Sequence, residues 1–179
     1  VLFRSTFESS YLMIKWADKL ISEIPYLNDL VEPETVEDMI SEYVNHWCRI
    51  DKYYRKFIYY YDQILDKTVG MEDLMDLVDN IYTNSFLEKV NPWWVNKLNG
   101  LSNLRDISVD KQYNFYKNSI RPSIRQHKTV VIISDALRFN IAQELKEEIS
   151  KDPTRKVDIE PLMGVIPTYT PLGMASLLP

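Results

Sequence analysis

Apolar residues recur at helical spacing over most of the chain. The longest stripe consists of Val36, Ile40, Tyr43, Trp47, Ile50, Tyr54, Phe57, Tyr61 and Ile64. Its steps of three and four residues predict one long helix with a single apolar face. Thr35 followed by Asp38 predicts a capping-box start, and Gly70 predicts the stop. The stripe suits an intramolecular bundle or a dimeric coiled coil, and the short connections to other amphipathic segments favour the bundle.

Further helices are predicted on both sides of this stripe. One covers residues 7–20, and the next places Leu74, Leu77, Val78, Ile81 and Tyr82 on one face. Asn91 and Pro92 then read as a helix cap followed by a first-turn proline. A last helix over residues 109–120 is expected to end before Pro122, whose ring disrupts interior hydrogen bonds. Residues 1–125 are therefore predicted to form an aromatic-rich helical domain.

The apolar period changes after Lys128. Residues 129–133, "TVVII", are a β-branched run of the kind that is buried on both faces of a parallel sheet. The following "ALRFNIAQELKEEI" is amphipathic at helical spacing, and residues 156–166 supply a second candidate strand. The order strand, helix, strand predicts a right-handed crossover. The predicted fold class is an α-helical bundle followed, over residues 126–179, by the truncated start of an α/β domain with a parallel sheet.

Composition excludes several classes of protein. The net charge of -5 and the pI near 5.1 give no global reason to bind nucleic acid or anionic membrane. The basic Lys52, Arg55 and Lys56 alternate with aromatic residues, a pattern that also suits single-stranded nucleic acid, although core packing of the aromatics is the preferred interpretation. No apolar run reaches the length of a membrane span, so a cytoplasmic location is the default expectation.

Few residues can form a soft metal site. Cys48 is the only cysteine, which excludes internal disulfides and CxxC zinc motifs, and only His46 and His127 can supply imidazole. His46 beside Trp47 is interpreted as a helix-face residue, and His127 next to Lys128 as a solvated one. The chain lacks an initiating Met and stops at Pro179 just after a helix-like start, which indicates an excerpt of a longer protein.

Asp135 follows the first predicted strand directly. Ligands of open α/β sheets gather outside the carboxyl ends of the strands, which makes Asp135 a candidate metal ligand. The competing interpretation is a helix N-cap. A P-loop is excluded because none of the four glycines is followed by Lys, and the same count excludes GxGxxG and GxSxG.

Thr170 is the second candidate. It precedes Pro171, a common start of a helix, and a cap is again the competing interpretation. Free amide groups at a helix start suit a phosphate, and a hydroxyl at that point attacks phosphorus when a cation lowers its pKa. Arg138 is a candidate phosphate clamp or a solvated helix residue.

Together these segments resemble a known family. "VVIISDALRFNIAQEL", followed 35 positions after its Asp by "PTYTPLGMASLLP", is similar to the opening of a PglZ domain from BREX phage-defence systems. The upstream "YYRKFIYYYDQI" and "QYNFYKNSIRP" resemble the same family more weakly. PglZ domains belong to the alkaline phosphatase superfamily, whose members transfer or hydrolyse phosphoryl groups with a metal pair.

The resemblance implies a role for two of the candidates. Asp135 corresponds to the first metal-ligand Asp, and Thr170, rather than Thr168, corresponds to the nucleophile or metal-bound hydroxyl. Arg138 stays a candidate for binding the substrate phosphate on the chemistry of its side chain alone. The implied cofactor is a divalent metal pair, with zinc expected and manganese or magnesium as alternatives. The remaining ligands come later in the family's sequences, so this chain alone is expected to hold no catalytic metal and to be inactive.

The implied partners are other proteins of the defence system and a phosphate-bearing substrate, with DNA as a candidate from family context. The alternative function is a catalytically dead PglZ-like scaffold whose helical region binds other defence proteins.

Overall fold

The computed structural model describes residues 2–179, with side chains from Phe7 onward. The helices of the first part of the chain are α1 Leu2–Ile21, α2 Ile24–Asn28, α3 Val36–Glu42, α4 Cys48–Asp62, α5 Val69–Asn80 and α6 Glu88–Asn99. A π-helical segment, Tyr43–Trp47, joins α3 to α4, and a second one, Ile81–Leu87, joins α5 to α6. The chain divides into two compact units, Val1–Asp106 and Ile107–Pro179. The helices between residues 107 and 126 thus fall in the second unit, although the predicted domain boundary lies at 125.

The predicted capping box at the start of the long helix is confirmed. The Asp38 amide donates to Thr35 Oγ1 at 3.1 Å, and the Thr35 amide donates to Asp38 Oδ2 at 3.1 Å. These two bonds satisfy amides that otherwise have no partner in the first helical turn.

The apolar stripe packs inside the first unit. Val36, Trp47, Ile50, Phe57 and Ile64 are all at most 3% exposed. Helix α4 packs against α1, where Met13, Ala17 and Leu20 complete the core. Because one chain covers the stripe, it acts as the seam of an intramolecular bundle.

Two predicted helix boundaries in this unit are wrong, one a stop and the other a start. Gly70 lies in the first turn of α5, since α4 has already ended at Asp62. Pro92 lies inside α6, which begins at Glu88. Val90 is 4% exposed and Trp93 packs near Trp47, so continuing the helix through Pro92 keeps both side chains on the core. Tertiary packing therefore overrides the local cap signal.

The aromatic residues interleaved with Lys52, Arg55 and Lys56 are used in packing. Phe57 is fully buried, Tyr53 lies against Trp16, and Tyr54 stacks on Tyr82 with ring centroids 3.8 Å apart. Base stacking needs exposed aromatic faces, and packing covers at least part of each of these three rings. Packing therefore accounts for these rings, whereas Tyr59 further along the segment is 56% exposed.

The second unit is a set of short elements. It contains a 3-10 turn at Gln112–Asn114, a π-helical segment at Tyr116–Ile120, α7 Arg121–Gln126, α8 Phe139–Ile149 and α9 Thr170–Ser176. The predicted end before Pro122 is wrong, because the π-helical segment leads directly into α7 and Pro122 is the second residue of that helix.

The predicted parallel sheet does not form among the described residues. Their one pairing outside helices is an isolated parallel bridge between Lys111 and Met163. Residues 129–133 have no regular secondary structure and no neighbouring strand, and Val130 and Ile132 are each 86% exposed, whereas Val131 is 41% and Ile133 38% exposed. Strand pairing requires a second strand beside the first, and within residues 2–179 none lies there.

No helix among the described residues has the length and apolar character needed to cross a bilayer.

Candidate functional site

Asp135 lies in a tight turn between the irregular segment of residues 128–134 and α8. The turn is left-handed at Ala136, with φ of 53°, a conformation that costs a non-glycine residue about 1 kcal/mol. Asp135 Oδ1 accepts a hydrogen bond from the Ala136 amide at 3.0 Å. Helix α8 begins only at Phe139, and its N-cap residue is Arg138. The N-cap interpretation of Asp135 is therefore wrong, and its exposed carboxylate remains available to other groups.

Thr170 is the first residue of α9. The N-cap residue is Tyr169, and Pro171 occupies the second helical position. The cap interpretation of Thr170 is thus displaced by one residue. Tyr169 makes no side-chain hydrogen bond to the helix, so α9 begins without a side-chain cap.

The Thr170 hydroxyl points at the Asp135 carboxylate. Thr170 Oγ1 lies 3.3 Å from Oδ2 and 3.4 Å from Oδ1 of Asp135. A hydroxyl usually donates to a carboxylate at about 2.7 Å, so both separations are long for a hydrogen bond. Two oxygens bound to one ion at about 2.1 Å each, in tetrahedral arrangement, lie about 3.4 Å apart. The separations are therefore compatible with a weak bifurcated hydrogen bond and with two oxygens that share one cation.

Both residues line a cavity of about 620 Å³ within the second unit. Its polar lining consists of Gln112, Ser134, Asp135, Arg138, Thr168 and Thr170. Its apolar lining includes Ile133, Leu137, Phe139, Leu162, Val165, Tyr169, Met174 and Leu177. A few convergent polar groups on an apolar wall are typical of a small-molecule or cofactor site.

Arg138, the predicted phosphate clamp, is exposed and lines the same cavity. Its position at the N-cap of α8 places it one short turn after Asp135. Neither His46, in the first π-helical segment, nor His127, at the end of α7, lines the cavity. Among the residues described, no three His, Cys, Asp or Glu side chains lie close enough together to hold one ion.

Sequence reasoning missed Gln112. Its side-chain amide lines the cavity and bonds to residues 53 and 61 positions further along the chain. No local motif predicts such a contact. A single Gln in a polar stretch contributes to no periodic pattern, and its partners are backbone groups, which carry no sequence signal.

Comparison with known proteins identifies relatives of this chain. Residues 115–179 match the family model for the BREX system PglZ alkaline phosphatase-like domain. The chain is 34% identical over 178 residues, 98% of its length, to "Alkaline phosphatase-like protein PglZ" of Bacillus cereus (strain H3081.97). It is 31% identical over 144 residues, 76% of its length, to "Alkaline phosphatase-like protein BrxZ" of Escherichia coli O9:H4 (strain HS). The chain belongs to the PglZ family, as its motifs indicate.

The chain spans 21% of the first of these relatives and 17% of the second. No solved structure gives a significant match.

Proposed function

We propose that this chain is part of a metal-dependent phosphoryl-transfer hydrolase of a bacterial anti-phage defence system. In this proposal Asp135 is a metal ligand, Thr170 is the nucleophile or metal-bound hydroxyl, and Arg138 binds the substrate phosphate. The observation that carries the proposal is the 3.3 Å approach of Thr170 Oγ1 to Asp135 Oδ2. It joins two segments 35 residues apart at one cavity, inside the region that matches the alkaline phosphatase-like family model.

The two oxygens fit a hard or borderline divalent cation. A carboxylate and a hydroxyl are suitable ligands for zinc, manganese or magnesium, and zinc is the proposed metal of the family's pair. When bound, such an ion lowers the pKa of the hydroxyl and neutralises charge on the phosphoryl oxygens. We propose that further ligands come from parts of the full-length protein outside residues 1–179.

The residues of this chain then have separate tasks. Asp135 orients Thr170 Oγ1, whose bond to phosphorus forms as the bond from phosphorus to the leaving oxygen breaks. The hydroxyl proton passes to solvent, and the leaving oxygen takes a proton from solvent. Arg138 donates to the non-bridging oxygens, for which its planar guanidinium is suited. Water then attacks the phosphothreonine and restores the hydroxyl.

The test uses the full-length protein with a chromogenic aryl phosphodiester and added zinc, manganese or magnesium. We expect Thr170→Ala to lower kcat/KM by about 10³-fold or more, as removal of a nucleophile does, and Asp135→Asn to do the same by weakening metal binding. Thr170→Ser should retain part of the activity, because it keeps the hydroxyl.

Thr168→Ala is the matched control, since Thr168 lines the same cavity two residues away. Activity that survives Thr170→Ala, or that Thr168→Ala abolishes to the same extent, contradicts the proposed role of Thr170. A protein with no turnover under any metal contradicts the hydrolase proposal itself.

A scaffold that binds other proteins of the defence system is the second candidate. An exposed apolar stripe on α1 favours it, since Phe7, Tyr11 and Ile14 are 78%, 63% and 55% exposed. Phage protection distinguishes the two functions. If the full-length Thr170→Ala protein protects cells as well as the wild type does, the scaffold is the better description.

A further inference from the structure

Gln112 lies upstream of the residues matched by the PglZ family model, yet it belongs to the compact unit that carries the candidate site. The backbone of Gln112 and of the residues just before it pairs with the segment before α9. The Gln112 amide donates to the Met163 carbonyl at 2.8 Å, and the Met163 amide donates to the Asp110 carbonyl at 2.8 Å. The main chain of residues 110–112 is thereby fixed against residue 163.

The Gln112 side chain makes two more bonds, which point to different elements. Its Oε1 accepts from the Val165 amide at 3.1 Å, and its Nε2 donates to the Gly173 carbonyl at 2.9 Å. Val165 belongs to the irregular segment that leads to Thr170, and Gly173 lies inside α9. The side-chain amide of Gln112 thus connects the segment before α9 to α9 itself.

Few side chains can make this connection. It requires an acceptor and a donor on the same planar group, which Asn and Gln supply without depending on a protonation state. Asn is shorter by one methylene, or about 1.5 Å, and cannot keep both bonds from the same backbone position. Glutamate has the length but, when ionised, has only acceptors and would face the Gly173 carbonyl with negative charge.

The two bonds bracket Thr170. Val165 lies five residues before it and Gly173 three residues after it, so the amide of Gln112 fixes both sides of the turn that aims the hydroxyl at Asp135. A short helix of seven residues has little stability of its own and depends on such contacts for its position. A shift of about 1 Å in a reacting group is enough to cost about 10²-fold in rate.

We propose that Gln112 is a positioning residue for Thr170. This inference rests on the proposed phosphoryl-transfer function for its catalytic consequence, whereas its structural part is independent of that function.

The test compares Gln112→Ala, Gln112→Asn and Gln112→Glu in the full-length protein by amide hydrogen exchange and by kinetics. Gln112→Ala should speed exchange of the Val165 amide by about 5- to 10-fold, the usual effect of losing one hydrogen bond, and should also speed exchange of the α9 amides. Gln112→Glu should leave Val165 protected, since its carboxylate still accepts, but should speed exchange of the α9 amides. Gln112→Asn should leave exchange of both the Val165 amide and the α9 amides faster than in the wild type.

In the kinetic assay, Gln112→Ala and Gln112→Glu should lower kcat by about 10²-fold with KM within about twofold of the wild type, because Arg138 on α8 still binds the phosphate. Gln126→Ala is the matched control, since Gln126 is an exposed glutamine of the same unit. It should change neither exchange nor kcat.

Unchanged exchange of Val165 and α9 in Gln112→Ala overturns the proposal, as does a fall in kcat no larger than that of Gln126→Ala. If the wild-type protein has no turnover, the hydrolase proposal fails. The exchange pattern then decides by itself whether Gln112 positions the Thr170 turn.

Discussion

Asp51 organises a polar cluster inside the helical unit. The Tyr43 hydroxyl donates to its Oδ2 at 2.8 Å, and the Tyr82 hydroxyl donates to its Oδ1 at 2.9 Å. Burial, with the negative charge of Asp51 added to it, raises the pKa of Tyr43 well above its usual range. Tyr43 and Tyr82 belong to the two π-helical segments, so one carboxylate bonds to both.

Removing this carboxylate should destabilise the helical unit. We expect Asp51→Ala to lower the free energy of unfolding by about 2 kcal/mol, because two half-buried hydroxyls lose their acceptor. Urea unfolding followed by circular dichroism measures the change. Asp62→Ala, at the exposed end of the same helix, is the control and should change stability by about 0.5 kcal/mol or less. Equal effects of the two substitutions would show that the Asp51 bonds add nothing.

At the scale of elements, the two threonines that precede helices differ in how they act. Thr35 caps α3 with its side chain, whereas Thr68 stands at the N-cap of α5 without a side-chain hydrogen bond. Both have extended backbone, so the residue type and backbone conformation are matched and only the bond differs.

This difference predicts unequal effects of the same substitution. Thr35→Ala should lower the free energy of unfolding by about 1 kcal/mol, the usual cost of a lost N-cap, while Thr68→Ala should cost a few tenths at most. Thr35→Ser should recover most of the loss, since Ser also accepts from the third amide. The measurement is again a urea titration, and a Thr68→Ala effect as large as that of Thr35→Ala would argue against the capping bond.

Local signals predict some of these elements and fail for others. The Thr35 to Asp38 box was found correctly because its partners are three residues apart. The boundaries predicted at Pro92 and Pro122 are wrong. Pro92 lies inside α6, where the neighbouring side chains pack on the core, and Pro122 is the second residue of α7. The π-helical segments were not predicted either, since an extra residue per turn leaves no clear mark on an apolar stripe.

At the scale of the whole molecule, the candidate site was predictable only in part. Residue chemistry alone left Asp135 and Thr170 divided between capping and catalysis, and it was the family resemblance that paired them. Their approach to 3.3 Å agrees with that pairing. Gln112 could not be found, because its partners are distant backbone groups. The parallel sheet is predicted from β-branched composition. Such composition indicates that a segment favours pairing with other strands, but it does not indicate whether those strands are present.

The chain alone should bind catalytic metal weakly and turn over no substrate. Asp135 and Thr170 supply two oxygens, whereas a catalytic zinc site takes three protein ligands. The measurement is hydrolysis of an aryl phosphate and an aryl phosphodiester by the 179-residue chain with zinc, manganese or magnesium, with the Thr170→Ala chain as blank. Robust turnover that disappears in the blank would contradict this expectation.

The unpaired segment of residues 129–133 affects how the isolated chain behaves in concentrated solution. Its backbone amide and carbonyl groups lack strand partners, and its β-branched side chains are exposed, with Val130 and Ile132 each at 86%. An uncapped edge of this kind is a template onto which another copy can pair, and short β-branched runs without charge are the usual seeds of fibrils. Lys128 and Asp135 are the nearest charges on either side, and between them the segment has no barrier of its own against stacking.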